Sequence, residues 1–161
     1  IERQFYAVVD RIIDQVKATP DDWVWLSHKS PEHLRENRVT VLRHFVADYN
    51  AGRAEGRYVV GELPQVDFRD GRFELALCSH FLFLYSDHYT YEFHRDAVLE
   101  MLRVAPEVRI FPLLTLMLKP SPYVKPLMAE LESKGFRASV ERVGYELQRG
   151  GNEMLRVKRA A

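Results

Sequence analysis

The sequence of 161 residues predicts an α/β protein with a mostly parallel sheet and a C-terminal antiparallel hairpin strand. From residue 57 onward, segments with a strand pattern alternate with segments that have a helical pattern, as in an open α/β sheet. The run 108–114 is almost entirely apolar, which is typical of a strand covered on both faces. The pair Gly150-Gly151 suits a tight turn and predicts the final antiparallel return.

The first third of the chain is predicted to be helical. Apolar residues recur with helical spacing over residues 1–18, starting at Ile1. Ser30 can cap a second helix with Pro31 at its first position, and this helix is expected to run to about residue 50. The segment between the helices carries Trp23 and Trp25, which we expect to pack against a neighbouring surface. Two glycines, Gly52 and Gly56, are expected to end the helical region.

The remaining elements follow from the alternating pattern. We predict strands over 57–61, 73–78, 108–114 and 136–143, helices over 87–104 and from the Pro122–Pro126 region to Gly135, and a hairpin over 145–157. The strands 57–61, 73–78 and 108–114 are expected in one sheet, with 152–157 antiparallel at its far side. We expect a single domain, with residues 1–56 as a helical segment and residues 57–161 as the sheet core.

Composition restricts the classes of function. The 23 Lys and Arg residues balance the 23 Asp and Glu residues, so the net charge attracts neither nucleic acid nor an anionic membrane. The single cysteine excludes an internal disulfide and suits a reducing compartment. No apolar run approaches the roughly 20 residues needed to span a bilayer. We therefore expect a cytoplasmic protein without nucleic-acid or membrane partners.

Polar residues at the end of the strand 73–78 predict a ligand-binding edge. Cys78, Ser79 and His80 stand where this strand ends. In open α/β sheets, ligands bind outside the carboxyl ends of the strands. We therefore expect Ser79 and His80 to lie at the rim of a site.

The stretch GELPQVDFRDGRFELALCSH, residues 61–80, resembles the middle of class I S-adenosylmethionine-dependent methyltransferases. Glu62 matches the acidic residue that follows their third strand, and Asp70-Gly71 matches a turn before their fourth strand. EMLRVAPEVRIFPLL resembles the following helix and fifth strand. The chain from Ser121 to residue 157 resembles the last helix and the sixth and seventh strands, the seventh being antiparallel. CSHFLFLYS, IFPLL and QRGGNEML together resemble one little-described bacterial group of these enzymes.

The resemblance, which covers residues 57–157, implies a Rossmann-like fold and a function. The function would be methyl transfer from S-adenosylmethionine to an unidentified small-molecule or protein acceptor. Glu62 would lie beside the adenosine, and Leu63 would offer its backbone N–H and an apolar contact to the adenine. Ser79 and His80 would border the methionine or sulfonium end. The resemblance names no general base and no metal ligand.

One family motif has no counterpart in this sequence. The family's glycine-rich loop after the first strand lets the cofactor approach the backbone closely. None of the eight glycines forms a Gly-x-Gly pair here. We expect that the first βαβ unit, on the order of 30–50 residues, is missing, and that the chain, which starts at Ile1, was cut from a longer protein. One edge of strand 73–78 would then be open.

Other functions and roles remain open. A non-catalytic, methyltransferase-like binding module would share the fold, and cofactor binding separates it from an enzyme. Cys78 with His80 could instead form a thiol nucleophile and its base, since residues i and i+2 share a face of a strand. The spacing of His80, His88 and His94 does not suit a metal site, so we expect cap, surface and packing roles.

Several side chains have two interpretations each. The aromatic group formed by Phe81, Phe83, Tyr85, Tyr89 and Tyr91 either walls a substrate pocket or covers the end of the sheet. Arg149 and Asn152 either reach a substrate or tie the hairpin. The Trp23–Trp25 segment with helix 31–50 could form a lid or a homodimer surface.

Overall fold

The computed structural model of the protein describes residues 2–159, which divide into two compact units. Residues 2–60 with 145–149 form a helical unit, and residues 61–144 with 150–159 form a sheet unit. The helices and strands are α1 Glu2–Ala18, α2 Pro31–Ala54, β1 Ala76–Ser79, α3 Tyr91–Val104, β2 Glu107–Phe111, α4 Val124–Ser133, β3 Phe136–Arg142 and β4 Glu153–Arg159. Within residues 2–159, no helix is both long enough and apolar enough to cross a membrane.

The helical unit begins as the sequence predicts. The α1 residues that carry the apolar pattern, Val9, Ile13 and Val16, are buried, whereas Ile1 lies outside the described residues. Ser30 caps α2 by accepting a hydrogen bond from the backbone N–H of His33, and Pro31 is at the first turn. The two tryptophans pack against a small core of α1 and α2 side chains together with Leu147. The expectation that they lie against a neighbouring surface is confirmed.

The expected strand at 57–61 is wrong, because this segment folds back onto the end of α2. The backbone N–H groups of Arg57 and Tyr58 both donate to the carbonyl of Gly52. The Tyr58 hydroxyl donates to Asp48 at 2.7 Å, and its ring stacks on Tyr49. These contacts hold Arg57 and Tyr58 against the end of α2, and the exposed residues 59–61 form no strand. The helix therefore continues through Gly52 to Ala54 and ends before Gly56, whose φ is 73°.

The sheet is mixed and has the order β1-β2-β4-β3. β1 and β2 are parallel neighbours, whereas β4 pairs antiparallel with both β2 and β3. The predicted α/β class, the parallel pair and the antiparallel last strand are confirmed. The expected mostly parallel sheet is wrong, because β4 pairs antiparallel on both of its sides and only β1 and β2 are parallel in this sheet. β4 lies inside the sheet, and β3 forms the edge, so the expected position of the last strand at the far side is wrong.

The final hairpin differs from the expected one. β4 pairs with β3 from Phe136↔Arg159 to Arg142↔Glu153, so residues 143–152 are the connection and contain no hairpin strand. Gly150-Gly151 lies inside this connection, where Gly150 has a φ of 79°. Gln148 instead forms an isolated bridge with Trp23 in the helical unit. The Gly-Gly pair marked a turn correctly but not the centre of the hairpin.

One face of the sheet carries the core of the sheet unit. Side chains from α3 and α4 pack there against Val108, Ile110, Leu155 and Val157, which are fully buried. Burial alternates along β2, and its other face presents Glu107, whose carboxylate pairs with Arg109 and Arg156. The expectation that the strand 108–114 is covered by apolar groups on both faces is therefore wrong. The strand also ends earlier than expected, at Phe111, just before Pro112.

The chain between β1 and α3 is a compact turn instead of the start of a long helix. A 3₁₀ turn over Phe83–Tyr85 follows β1, and Thr90 caps α3 by accepting from the backbone N–H of Phe93. The expected helix start at residue 87 is thus wrong, because α3 begins at Tyr91. Ser86 is buried and donates its hydroxyl to the carbonyl of Phe83, which stabilises the turn.

Candidate functional site

A cavity of about 310 Å³ lies beyond the carboxyl end of β1. Three elements of the sheet unit contribute its lining residues: the loop that precedes β1, the segment just after β1, and the first turn of α3 with its approach. These residues are Gly61, Glu62, Leu63, Phe81, Tyr89 and Phe93. Its volume is at the lower end of the range of about 300–1,000 Å³ for small-molecule sites. Its place is the one at which open α/β sheets bind ligands.

Three aromatic rings form one wall of this cavity. Tyr89 and Phe93 stack with ring centroids 4.3 Å apart and planes 15° apart, and Phe81 meets Tyr89 edge-on at 5.7 Å. Thr90 capping fixes Phe93 in the first turn of α3, so both stacked rings sit on an ordered helix start. The wall is a flat, apolar surface suited to a planar ring system.

Glu62 and Leu63 face this wall from the loop before β1. Glu62 is exposed, and Leu63 is half-buried and packs against the core of the sheet unit. The loop turns tightly at this point, since the backbone N–H of Gln65 donates to the carbonyl of Glu62 at 3.1 Å. The cavity therefore combines one carboxylate with an aromatic wall.

Ser79 and His80 stand at the tip of β1 and are not among the cavity-lining residues. The Ser79 hydroxyl and the His80 Nδ1 lie 2.8 Å apart, and the His80 backbone N–H donates to the carbonyl of Phe111 on β2. His80 has a φ of 55°, a left-handed conformation that costs a non-glycine residue about 1–3 kcal/mol and is frequent at functional sites. Phe81 follows directly and enters the cavity, so the strand tip and the cavity are adjacent along the chain.

The alternative of a thiol nucleophile is disfavoured. Cys78 is buried in the core of the sheet unit, whereas His80 is exposed. Burial raises the pKa of the Cys78 thiol, which lowers the fraction of reactive thiolate. The thiol behaves as a small apolar core side chain.

The aromatic residues between positions 81 and 91 do not all have the same role: some line the cavity, and others pack in the core or against α4. Phe81 and Tyr89 line the cavity, whereas Phe83 is fully buried in the core, and the Tyr91 hydroxyl donates to Glu130 on α4 at 2.7 Å. Phe93 was not recognised as a cavity residue. Its spacing of four residues from Tyr89 at a helix start was the signal that could have found it.

The remaining polar candidates have structural contacts. His94 is fully buried, with its Nδ1 2.7 Å from the Thr90 carbonyl and its Nε2 2.9 Å from the Leu82 carbonyl. His88 is exposed and meets the ring of Tyr85. The Arg149 guanidinium donates to the carbonyl of Trp23 in the helical unit, so Arg149 ties the connection. Within the described residues, no three His, Cys, Asp or Glu side chains are grouped as metal ligands.

A larger, shallower depression of about 490 Å³ lies near the amino end of β1. Phe73, Leu102 and Pro106 give it an apolar floor, and Arg103 is at its margin. The polar groups of Arg103 are occupied by contacts within the protein. The smaller cavity lies beyond the carboxyl end of β1, where open α/β sheets bind ligands, and is therefore the better functional candidate.

Comparison with known proteins identifies a relative but not an activity. No family model matches the chain. No solved structure matches it either. An uncharacterized protein of Methanocaldococcus jannaschii is 32% identical over 135 residues, which are 84% of this chain. The chain spans 58% of the length of that relative.

Proposed function

We propose that the chain belongs to a class I S-adenosylmethionine-dependent methyltransferase and that the cavity beside Glu62 receives the adenosine part of the cofactor. The observation that carries the proposal is the meeting of Glu62 and Leu63 with the aromatic wall at the carboxyl end of β1. These two residues are the ones for which the sequence resemblance implies adenosine contacts. The antiparallel last strand of the sheet adds support for the Rossmann-like fold of this family.

The donor set of the cavity suits an adenosine group. A carboxylate accepts hydrogen bonds from a pair of ribose hydroxyls, and a flat aromatic wall favours a purine. The volume of about 310 Å³ suits this part of the cofactor better than the whole molecule. The methionine part would extend toward Ser79 and His80, which lie two residues and one residue before Phe81 in the chain.

When bound, the cofactor supplies a sulfonium methyl group for in-line displacement by an acceptor nucleophile. In this proposal Glu62 holds the ribose hydroxyls, and Phe81, Tyr89 and Phe93 exclude water from the adenine face. The His80 backbone N–H, which donates to the Phe111 carbonyl, holds the strand tip to β2. Such residues act mainly by fixing reactants at near-attack geometry, which can supply about 7–11 kcal/mol of the barrier. The acceptor is a small molecule or a protein, and the enzyme works in the cytoplasm.

Calorimetric titration of the complete protein with S-adenosylmethionine tests the proposal. Glu62→Ala removes the carboxylate, and we expect a loss of affinity of about 10- to 150-fold, corresponding to about 1.5–3 kcal/mol for a charged hydrogen bond. Asp67→Ala is the matched control, because Asp67 is an exposed acidic residue of the same loop that does not line the cavity. Asp67→Ala should leave affinity unchanged.

Adenosine should compete for the same site. Folded wild-type protein that binds neither S-adenosylmethionine nor adenosine would contradict the proposal and favour a non-catalytic binding module. Binding that is equally strong in Glu62→Ala would remove Glu62 from the site.

A further inference from the structure

The side chain of Arg103 on α3 contacts the loop that carries Glu62 at several points. Arg103 lies in the last turn of α3, and every one of its five N–H donors has an acceptor. The acceptors are the two carboxylate oxygens of Glu100, the carboxylate of Asp70, and the backbone carbonyls of Val66 and Phe68, at 2.6–3.0 Å. Three of the five contacts reach the loop.

Glu100 completes the connection from the other side. Its Oε1 accepts the backbone N–H of Val66 at 2.8 Å and also a guanidinium N–H of Arg103 at 2.8 Å. The Glu100 side chain is only 11% exposed, so these bonds form where water competes poorly. Both backbone polar groups of Val66 are thus fixed by side chains of α3.

We propose that Arg103, together with Glu100, is a positioning residue for Glu62. Val66, whose backbone is fixed by α3, lies only four residues after Glu62. Between them, the backbone N–H of Gln65 donates to the Glu62 carbonyl at 3.1 Å, which links Glu62 to the fixed part of the loop. An exposed carboxylate on a free loop would lose conformational freedom on binding a ligand. A loop that is already fixed avoids part of this cost, and this pre-organisation raises affinity without a new contact.

The geometry requires arginine. Lysine has three donors and no planar fork, so it cannot serve the bidentate contact with Glu100 and two backbone carbonyls together. The fold itself has other attachments at this place. The carbonyls of Arg103 and Val104 accept the backbone N–H groups of Gly71 and Phe73, and these bonds persist when the side chain changes. The variants below should therefore remain folded.

This inference rests on the proposed function, and two measurements on the complete protein keep the two separable. Hydrogen exchange of the Val66 amide without ligand reports the attachment of the loop. Affinity for S-adenosylmethionine reports its effect on the site. Arg103→Met is the test variant, and Arg103→Lys is a milder second variant. Arg95→Met is the matched control, because Arg95 is on the same helix and contacts Asp96, outside the loop.

We expect Arg103→Met to accelerate exchange at Val66 by at least about 10-fold, while exchange in β2 stays unchanged. Affinity should fall about 10-fold, with a smaller loss for Arg103→Lys and none for Arg95→Met. If Arg103 acts through Glu62, the double variant with Glu62→Ala should bind no more than about 2-fold more weakly than Glu62→Ala alone. If Arg103 had a purely structural role, the affinity losses of the two single variants would instead multiply in the double variant.

Each other outcome disproves one part of this proposal. Unchanged exchange at Val66 in Arg103→Met disproves the attachment of the loop. Faster exchange with wild-type affinity disproves the positioning role, as do multiplying losses in the double variant. If wild-type protein does not bind S-adenosylmethionine, both the proposed function and the positioning role are wrong. The hydrogen-exchange result at Val66 still shows whether Arg103 attaches the loop to α3.

Discussion

Acid should release the contact between Glu100 and Arg103, and this effect can be isolated by one substitution. Hydrogen bonds from Arg103, with a further one from Val66, lower the pKa of Glu100 from 4.5 to about 2. A carboxyl whose pKa is lower in the folded state stabilises the protein above its unfolded pKa. This stability is lost as pH falls from about 4.5 toward 2.

The magnitude follows from the size of the shift. A shift from 4.5 to about 2 corresponds to about 3 kcal/mol at 1.36 kcal/mol for each pH unit. Arg103 is 33% exposed, so solvent screens part of the interaction. We therefore expect a contribution of about 1–2 kcal/mol at pH 7.

The assay is urea unfolding between pH 2 and 7, followed by far-ultraviolet circular dichroism, for wild type and Glu100→Gln. The tryptophans are unsuitable reporters, because both lie in the helical unit. The difference in unfolding free energy should be about 1–2 kcal/mol at pH 7 and should vanish near pH 2. Glu132→Gln, which changes an exposed glutamate of α4, is the control and should differ little at any pH. A difference that stays constant from pH 7 to 2, or is absent at pH 7, would refute the reasoning.

Two further predictions concern the cavity and the core. Phe93→Ala should weaken adenosine binding by about 5- to 150-fold, since a base–aromatic contact contributes about 1–3 kcal/mol; Phe45→Ala, which changes a ring of the helical unit, is the control in the same titration. Cys78 should react with iodoacetamide at pH 7 far more slowly in the folded protein than in urea, because it is only 8% exposed and burial raises its thiol pKa. Equal rates in the two states would show that the thiol is accessible.

The elements with strong local signals could be predicted from the sequence. The α1 pattern, the Ser30 cap with Pro31, and the parallel pair β1–β2 follow from periodicity and turn residues. The segment 57–61 has the composition of a strand, but its structure depends on Tyr58 packing over Gly52 and on the Asp48 carboxylate. A tertiary contact overrides local propensity there.

The candidate site could also be predicted in part from the sequence. Glu62 and Leu63 came from the resemblance, and the structure places them together in one cavity. The spacing of Phe93 from Tyr89 indicates that the two rings meet, but it does not show whether they face a cavity or the core. Arg103 contacts Val66 and Phe68, which are more than thirty residues away in the sequence, and no local sequence pattern indicates such a contact. Sequence patterns reveal which residues could form a site, whereas long-range contacts decide how it is held.

The most direct test of the central proposal is a crystal structure of the complete protein with S-adenosylhomocysteine. We predict adenine against Phe81, Tyr89 and Phe93, and ribose hydroxyls within about 2.6–3.2 Å of the Glu62 carboxylate. The homocysteine part should extend past the Ser79–His80 tip. Ligand bound elsewhere, with the cavity beside Glu62 holding only water, would contradict the account.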